Sequence, residues 1–141
     1  MPLQRRLFAG AVSVLLYLAA TSAQAVERRE LVEAILSRAL LERGAMLACA
    51  QMGNAKEETD VLSLGWKKDL ADAEKLLREL GYAENYVRTL SNRFALDIGT
   101  PKFSDRVALT RFCTMLGDWK TRYFHLMLTL PDMELKRALR R

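Results

Sequence analysis

Cys49 and Cys113 are the only cysteines in this chain of 141 residues. Two thiols can pair in a disulfide, ligate a metal, or act singly as a nucleophile. A nucleophilic thiol needs a lowered pKa, from a helix N-terminus or adjacent cations. Cys49 instead falls near the end of an expected helix, in the apolar stretch Ala45 to Ala50. Zinc takes three or four ligands drawn from Cys, His and carboxylates, and the sequence has a single histidine, His125. The expectation is therefore a Cys49–Cys113 disulfide, with no metal site and no cofactor. Closing a loop of about 65 residues removes denatured-state entropy worth roughly 4 kcal/mol in the chain-entropy picture. Against a usual total of ~5 to 15 kcal/mol, that is a large share.

Other chemistry is poorly supplied. No Gly-x-Ser-x-Gly elbow accompanies His125, and no glycine-rich phosphate loop of the Walker or dinucleotide type is present. Hydrolysis by two carboxylates needs only two acids across a gap. Asp69 and Asp72 lie one helical turn apart beside Trp66, and Glu33 and Glu42 lie further upstream. Their spacing among Lys and Arg neighbours reads more simply as solvent-facing charge. No catalytic residue is assigned, and the expectation is that the protein is not an enzyme.

A disulfide requires an oxidising compartment, and the start of the chain supplies a route to one. Met1 to Arg6 contains two Arg and no acid, and Leu7 to Ala20 carries no charge. Ala23, Gln24 and Ala25 then give the small-x-small pattern of a signal-peptidase site. The apolar run of 14 residues, Leu7 to Ala20, is short for a bilayer, which takes about 20. Residues 1–25 are thus expected to be a cleavable signal peptide, and residues 26–141 a single domain in the periplasm or secreted, with no permanent membrane span. Arg5 and Arg6 fit the positive head of a general export signal better than a twin-arginine one.

Loss of Arg5 and Arg6 takes the 22 Lys and Arg to 20, against 17 Asp and Glu, a net charge of +3. The basic excess lies in the second half, but only Lys136, Arg137, Arg140 and Arg141 cluster, where they suit the negative end of a last helix. A nucleic-acid binder gathers its cations into a dense stripe, so no nucleic-acid partner is expected.

The elements that position these residues read as helices throughout. Gly and Pro are few, seven and three, and Leu, Ala, Glu, Lys and Arg dominate. Apolar residues at Leu31, Val32, Ile35, Leu36, Ala39, Leu40, Leu47 and Ala50 mark a first helix from Glu27 to Met52, stopped by Gly53 and Asn54. Glu57, Glu58 and Asp60 suit the start of a second, running from about Asp60 to Leu80, where carboxylates meet unpaired N–H groups. Its inner stripe is Leu62, Trp66, Leu70, Ala73, Leu77 and Leu80, and Gly81 then Tyr82 form its stop. A third helix is expected over residues 83–97, with Tyr86, Val87, Leu90, Phe94 and Ile98 on one face.

A fourth helix begins at Thr100 or Ser104 and turns Val107, Ala108, Phe112, Cys113 and Leu116 inward. A fifth, capped by Asp118 and ending before Pro131, is the most apolar, with Trp119, Tyr123 and Phe124 among Leu and Met. Such a helix is either central or a docking surface, and the central position is the simpler reading. A sixth spans residues 132–139. The fold class expected is all-α, a compact bundle or orthogonal packing of five to six helices with one disulfide.

A helical, disulfide-tied, exported domain without a chemical site works most simply through its surface. In size, class and cysteine number the chain is similar to small exported helical immunity proteins that guard against cell-wall-degrading toxins. That likeness implies a binding or inhibitor module for another periplasmic or secreted protein. Its contact surface would be the acidic group Glu57, Glu58 and Asp60, or the aromatic group Trp119, Tyr123 and Phe124. Alternatives are an envelope-stress holdase using Met46, Met52, Met115, Met127 and Met133 as adaptable contacts, and a small carboxylate hydrolase built on Asp69 and Asp72. Oligomeric state leaves no mark in the sequence.

Overall fold

The computed structural model describes residues 5–126 and 128–140; for residues 5–20 the backbone alone is described. Met127, Arg141 and the first four residues of the expected signal peptide lie outside the described residues. Among the described residues there are seven helices and no strand. The all-helical expectation holds, with one element more than the five to six expected. The chain divides into two units, residues 1–33 and 34–141, the division falling inside the first helix. In the first unit that helix runs unbroken through the expected cleavage site, and residues 21–30 are exposed.

Helix α1 (Arg5–Met52) ends where its left-handed residue is. Asn54, not Gly53, takes positive φ at 52°. Around it Ala55 N–H donates to Ala50 O and Asn54 N–H to Gln51 O, the two bonds that close a Schellman turn. Helix α2 (Lys56–Glu79) starts earlier than its apolar stripe suggested and holds Glu57 and Glu58 in its first turn. It ends in the same motif: Gly81 has φ 81°, with Tyr82 N–H on Leu77 O and Gly81 N–H on Arg78 O.

The expected third helix is two. Helix α3 (Glu84–Arg93) stops before Phe94, and a four-residue helix α4 (Leu96–Gly99) follows. The break has a tertiary cause: the indole Nε1–H of Trp66 donates to Phe94 O at 2.7 Å. That carbonyl satisfies a buried donor from another helix instead of extending its own ladder. Ile98, expected on the inner face, is consequently exposed.

Helix α5 (Arg106–Leu116) is capped by Asp105, whose Oδ1 accepts from Ala108 N–H at 2.8 Å. Neither Thr100 nor Ser104 serves; the Thr100 hydroxyl donates back to Leu96 O. Cys113 is the one residue of α5 that is buried, and Val107, expected inside, is exposed. Helix α6 (Trp119–Leu126) begins at Asp118, which accepts from Thr121 N–H. It ends well short of Pro131 as Leu128 and Thr129 N–H groups turn back to His125 and Leu126 carbonyls. Helix α6 is not central: Tyr123 and Leu126 are buried while Phe124 faces solvent, as does Leu128 just beyond the helix. Helix α7 (Pro131–Leu139) starts on Pro131, where a missing N–H costs nothing.

In the second unit α2 is the hub and packs against both α3 and α7. Trp66, Leu77, Val87, Leu90 and Leu135 are wholly or almost wholly buried there. The ion pairs Arg78–Glu84 at 2.9 Å and Arg38–Glu134 join α2 to α3 and α1 to α7 at the surface. Helices α1 and α4 touch backbone to backbone: a Cβ on Gly44 would overlap the carbonyl of Gly99, and one on Gly99 would overlap the Leu40 side chain. The expected disulfide is formed, linking Cys49 on α1 to Cys113 on α5 with Cα atoms 5.6 Å apart. No helix among the described residues is long and apolar enough to cross a membrane.

Candidate functional site

Trp66 stands at the centre of the second unit's features. Its ring is 1% exposed, its N–H is taken by Phe94, and the guanidinium carbon of Arg43 lies 5.2 Å from its ring centroid. A cation over an indole face is attracted by the ring quadrupole. The same Arg43 places Nη2 3.1 Å from Asp69 Oδ2, with side chains only 6% and 11% exposed. Its other contacts are longer, to the carbonyls of Ala39 at 3.3 Å and Thr129 at 3.5 Å. Arg43 therefore ties α1 to α2 and to the connection between α6 and α7.

Burial dominates the electrostatics of the pair. It lowers the pKa of Arg43, against the attraction of Asp69 and Glu42, and it raises that of Asp69, against the attraction of Arg43. Both shifts disfavour the charged form, as expected when removal from water outweighs mutual attraction. Asp69 is thus a correction to the reading of it as a solvent-facing charge. Asp72 does sit at the surface, 2.5 Å from Lys68 one turn back. The two acids accordingly have different partners, and neither shares a proton or a gap with the other.

Two cavities flank Trp66. One of about 250 Å³ is lined by Arg43, Asp69, Val61, Tyr123, Leu126 and Leu130 among others. The other, of about 680 Å³, has Leu47, Trp66, Leu70 and Leu96 in its wall and Lys67 and Lys102 at its polar side. On a helix turning about 100° per residue, Ser63, Lys67 and Leu70 fall to one side of Trp66. Val61, Gly65 and Asp69 fall to the other. The indole is the partition between the two spaces.

The residues expected to meet a partner are brought together in part. Tyr123 and Leu126 of α6 pack with Leu62 of α2 and with Met46, Leu47 and Ala50 of α1, and Trp119 lies against this cluster. Burial pushes the Tyr123 phenol up, and the carboxylates of Glu58 and Glu57 add to it. The acidic first turn of α2 and the aromatic helix α6 are therefore neighbours. Of the three aromatics, Tyr123 belongs to the core, Trp119 is half-buried, and Phe124 is 66% exposed. Glu57 and Asp60 are exposed and Glu58 is half-buried. Two exposed apolar residues absent from the expected set, Val61 and Leu64, share the face of α2 that carries Glu57 and Asp60.

His125 is exposed, with Nδ1 2.9 Å from Thr121 O, which favours the tautomer protonated at that nitrogen. Among the described residues no group of His, Cys, Asp and Glu could hold a metal ion. Of the methionines offered as adaptable surface, Met46 is buried while Met115 and Met133 are exposed. Arg43 escaped the sequence reading, although a signal exists: it falls in step with Ala39, Met46 and Ala50, a charge inside an apolar stripe. No protein-family model, curated protein or solved structure matches the chain.

Proposed function

We propose that this protein is an exported binding module that acts through its surface on another envelope or secreted protein. The observation that carries the reading is the junction of α2 and α6. There Glu57 and Asp60 border the exposed Val61 and Leu64 on one helix, next to the helix that presents Phe124. An apolar centre with a charged rim is the anatomy of a protein contact, and an exposed aromatic is a usual anchor. The partner that fits has an apolar depression bordered by Lys or Arg. The Cys49–Cys113 bridge supports a workplace outside the reducing cytoplasm, and the charge and cleavage pattern of residues 1–25 supports delivery there.

The test is capture of partners from the exported fraction on the immobilised, processed protein, beside variants Leu64→Asp and Phe124→Asp. Both substitutions are at exposed positions and leave the core untouched. One stoichiometric partner, released by salt and lost with either variant, is the expected result. Many substoichiometric clients bound equally by all forms would replace this reading with a holdase chaperone, for which the exposure of Met115 and Met133 is the favouring observation. No retained protein would contradict both.

A further inference from the structure

The larger cavity beside Trp66 has no part in the surface reading above, and its chemistry is of another kind. Leu47, Trp66 and Leu70 form its floor with little of their own surface accessible, and the exposed Gln51, Lys67 and Lys102 stand around it, so the space is an open groove laid over the core. Its volume of about 680 Å³ lies within the ~300 to 1,000 Å³ of small-molecule sites.

Its polar groups are unequal as donors. The hydroxyls of Ser63 and Thr100 send their protons to the carbonyls of Thr59 and Leu96, and that of Ser91 to Glu74. Those three oxygens retain only acceptor capacity toward the cavity. Its charged groups are Lys67, Lys102 and Asp97, and both lysines are exposed, without an ion pair among the described residues. Two ammonium groups against one carboxylate leave net positive charge beside an apolar floor.

We infer that this cavity binds an anionic amphiphile of the fatty-carboxylate class. The acyl chain would lie over Leu96 and Leu70, and the carboxylate would meet Lys67 and Lys102. Burial of the chain supplies affinity, at about 25 cal/mol per Å² of apolar surface covered. The lysines select the sign of the head group, because charge-assisted hydrogen bonds are the strong ones. A neutral alcohol of the same length gains the first contribution and lacks the second. A cationic amphiphile meets repulsion.

The experiment titrates the processed, disulfide-bonded protein with dodecanoate, dodecanol and dodecyltrimethylammonium below their micellar concentrations, by calorimetry and by tryptophan fluorescence. Saturable binding of one dodecanoate is expected, with dodecanol at least about ten-fold weaker and the cation weaker still. The double variant Lys67→Ala/Lys102→Ala, at two exposed positions, should lose dodecanoate affinity by a similar factor while keeping its thermal midpoint and its affinity for dodecanol. Equal affinity for dodecanoate and dodecanol, undiminished dodecanoate binding by the double variant, or no saturable binding would each overturn the inference. The titration uses purified protein alone, so its failure leaves the partner-capture result unaffected.

Discussion

Arg43 and Asp69 meet 3.1 Å apart in the interior, one from the last turns of α1 and one from the middle of α2. Burial shifts both toward their neutral forms despite the attraction between them. The pair therefore fixes how α1, α2 and the chain before α7 fit together without adding greatly to net stability. Removing one partner strands the other in a dry site. Arg43→Met alone should cost about 3 to 5 kcal/mol, whereas Arg43→Met with Asp69→Leu should recover most of that loss. Urea denaturation of the three proteins checks it; a double variant as unstable as the single one would contradict the account.

The same burial sets a pH dependence. With its native pKa above the ordinary 3.8, Asp69 holds its proton more tightly in the folded chain than in the unfolded one. Its contribution is fully present below that value and is lost as pH rises through the native pKa. Glu84, Asp105 and Asp118 are shifted down by their hydrogen bonds and act in the opposite sense, so the comparison must be differential. The stability of the wild type minus that of Asp69→Asn should fall as pH is raised from below 3.8 toward neutrality. A difference that grows over that interval would reverse the sign argued here.

The disulfide has a local task. Cys113 is the only buried residue of α5, and that helix otherwise turns Val107 and Met115 to solvent. Its remaining attachments include the Phe103–Phe112 ring contact at 5.0 Å and the Thr110 hydroxyl 3.7 Å from the Met52 sulfur. Cys49→Ala with Cys113→Ala should lower stability by up to roughly 4 kcal/mol. Amide exchange should quicken over residues 106–116 before it quickens in α2 or α3. Uniform loss of protection along the chain would show the bridge to be a global brace instead.

Gly44 is required where α1 crosses α4. A methyl group there collides with the backbone of Gly99, which cannot rotate away as a side chain could. Gly44→Ala gains about 1 kcal/mol of helix propensity and should still be destabilising, by about 1 to 3 kcal/mol or more. Gly65, with open space around it, is the control: Gly65→Ala should stabilise. Thermal melts of both variants compare the two directly.

Local signals were legible wherever the sequence neighbours decide the structure. The stop at Gly81–Tyr82, the acids opening α2, the Trp66–Leu70–Ala73–Leu77 stripe and the cap at Asp118 all depend on contacts within a few residues. What could not be read depends on distant ones. Phe94 looks like the inner face of a continuing helix until the indole of Trp66 claims its carbonyl. Asp69 looks like its exposed neighbours Lys67 and Lys68 until Arg43 faces it. The acidic and aromatic groups were both legible as candidates, but only packing brings them side by side and withdraws Tyr123 into the core.

The proposed partner binding and the expected signal peptide both require passage out of the cytoplasm, and the Cys49–Cys113 bridge is compatible with it. Intact-mass measurement on the native protein from the extracytoplasmic fraction, with and without reductant, tests this most directly. The predicted species begins at Val26 and gains two hydrogens on reduction. A chain still beginning at Met1, retained in the cytosol with both sulfurs as free thiols, would contradict the account.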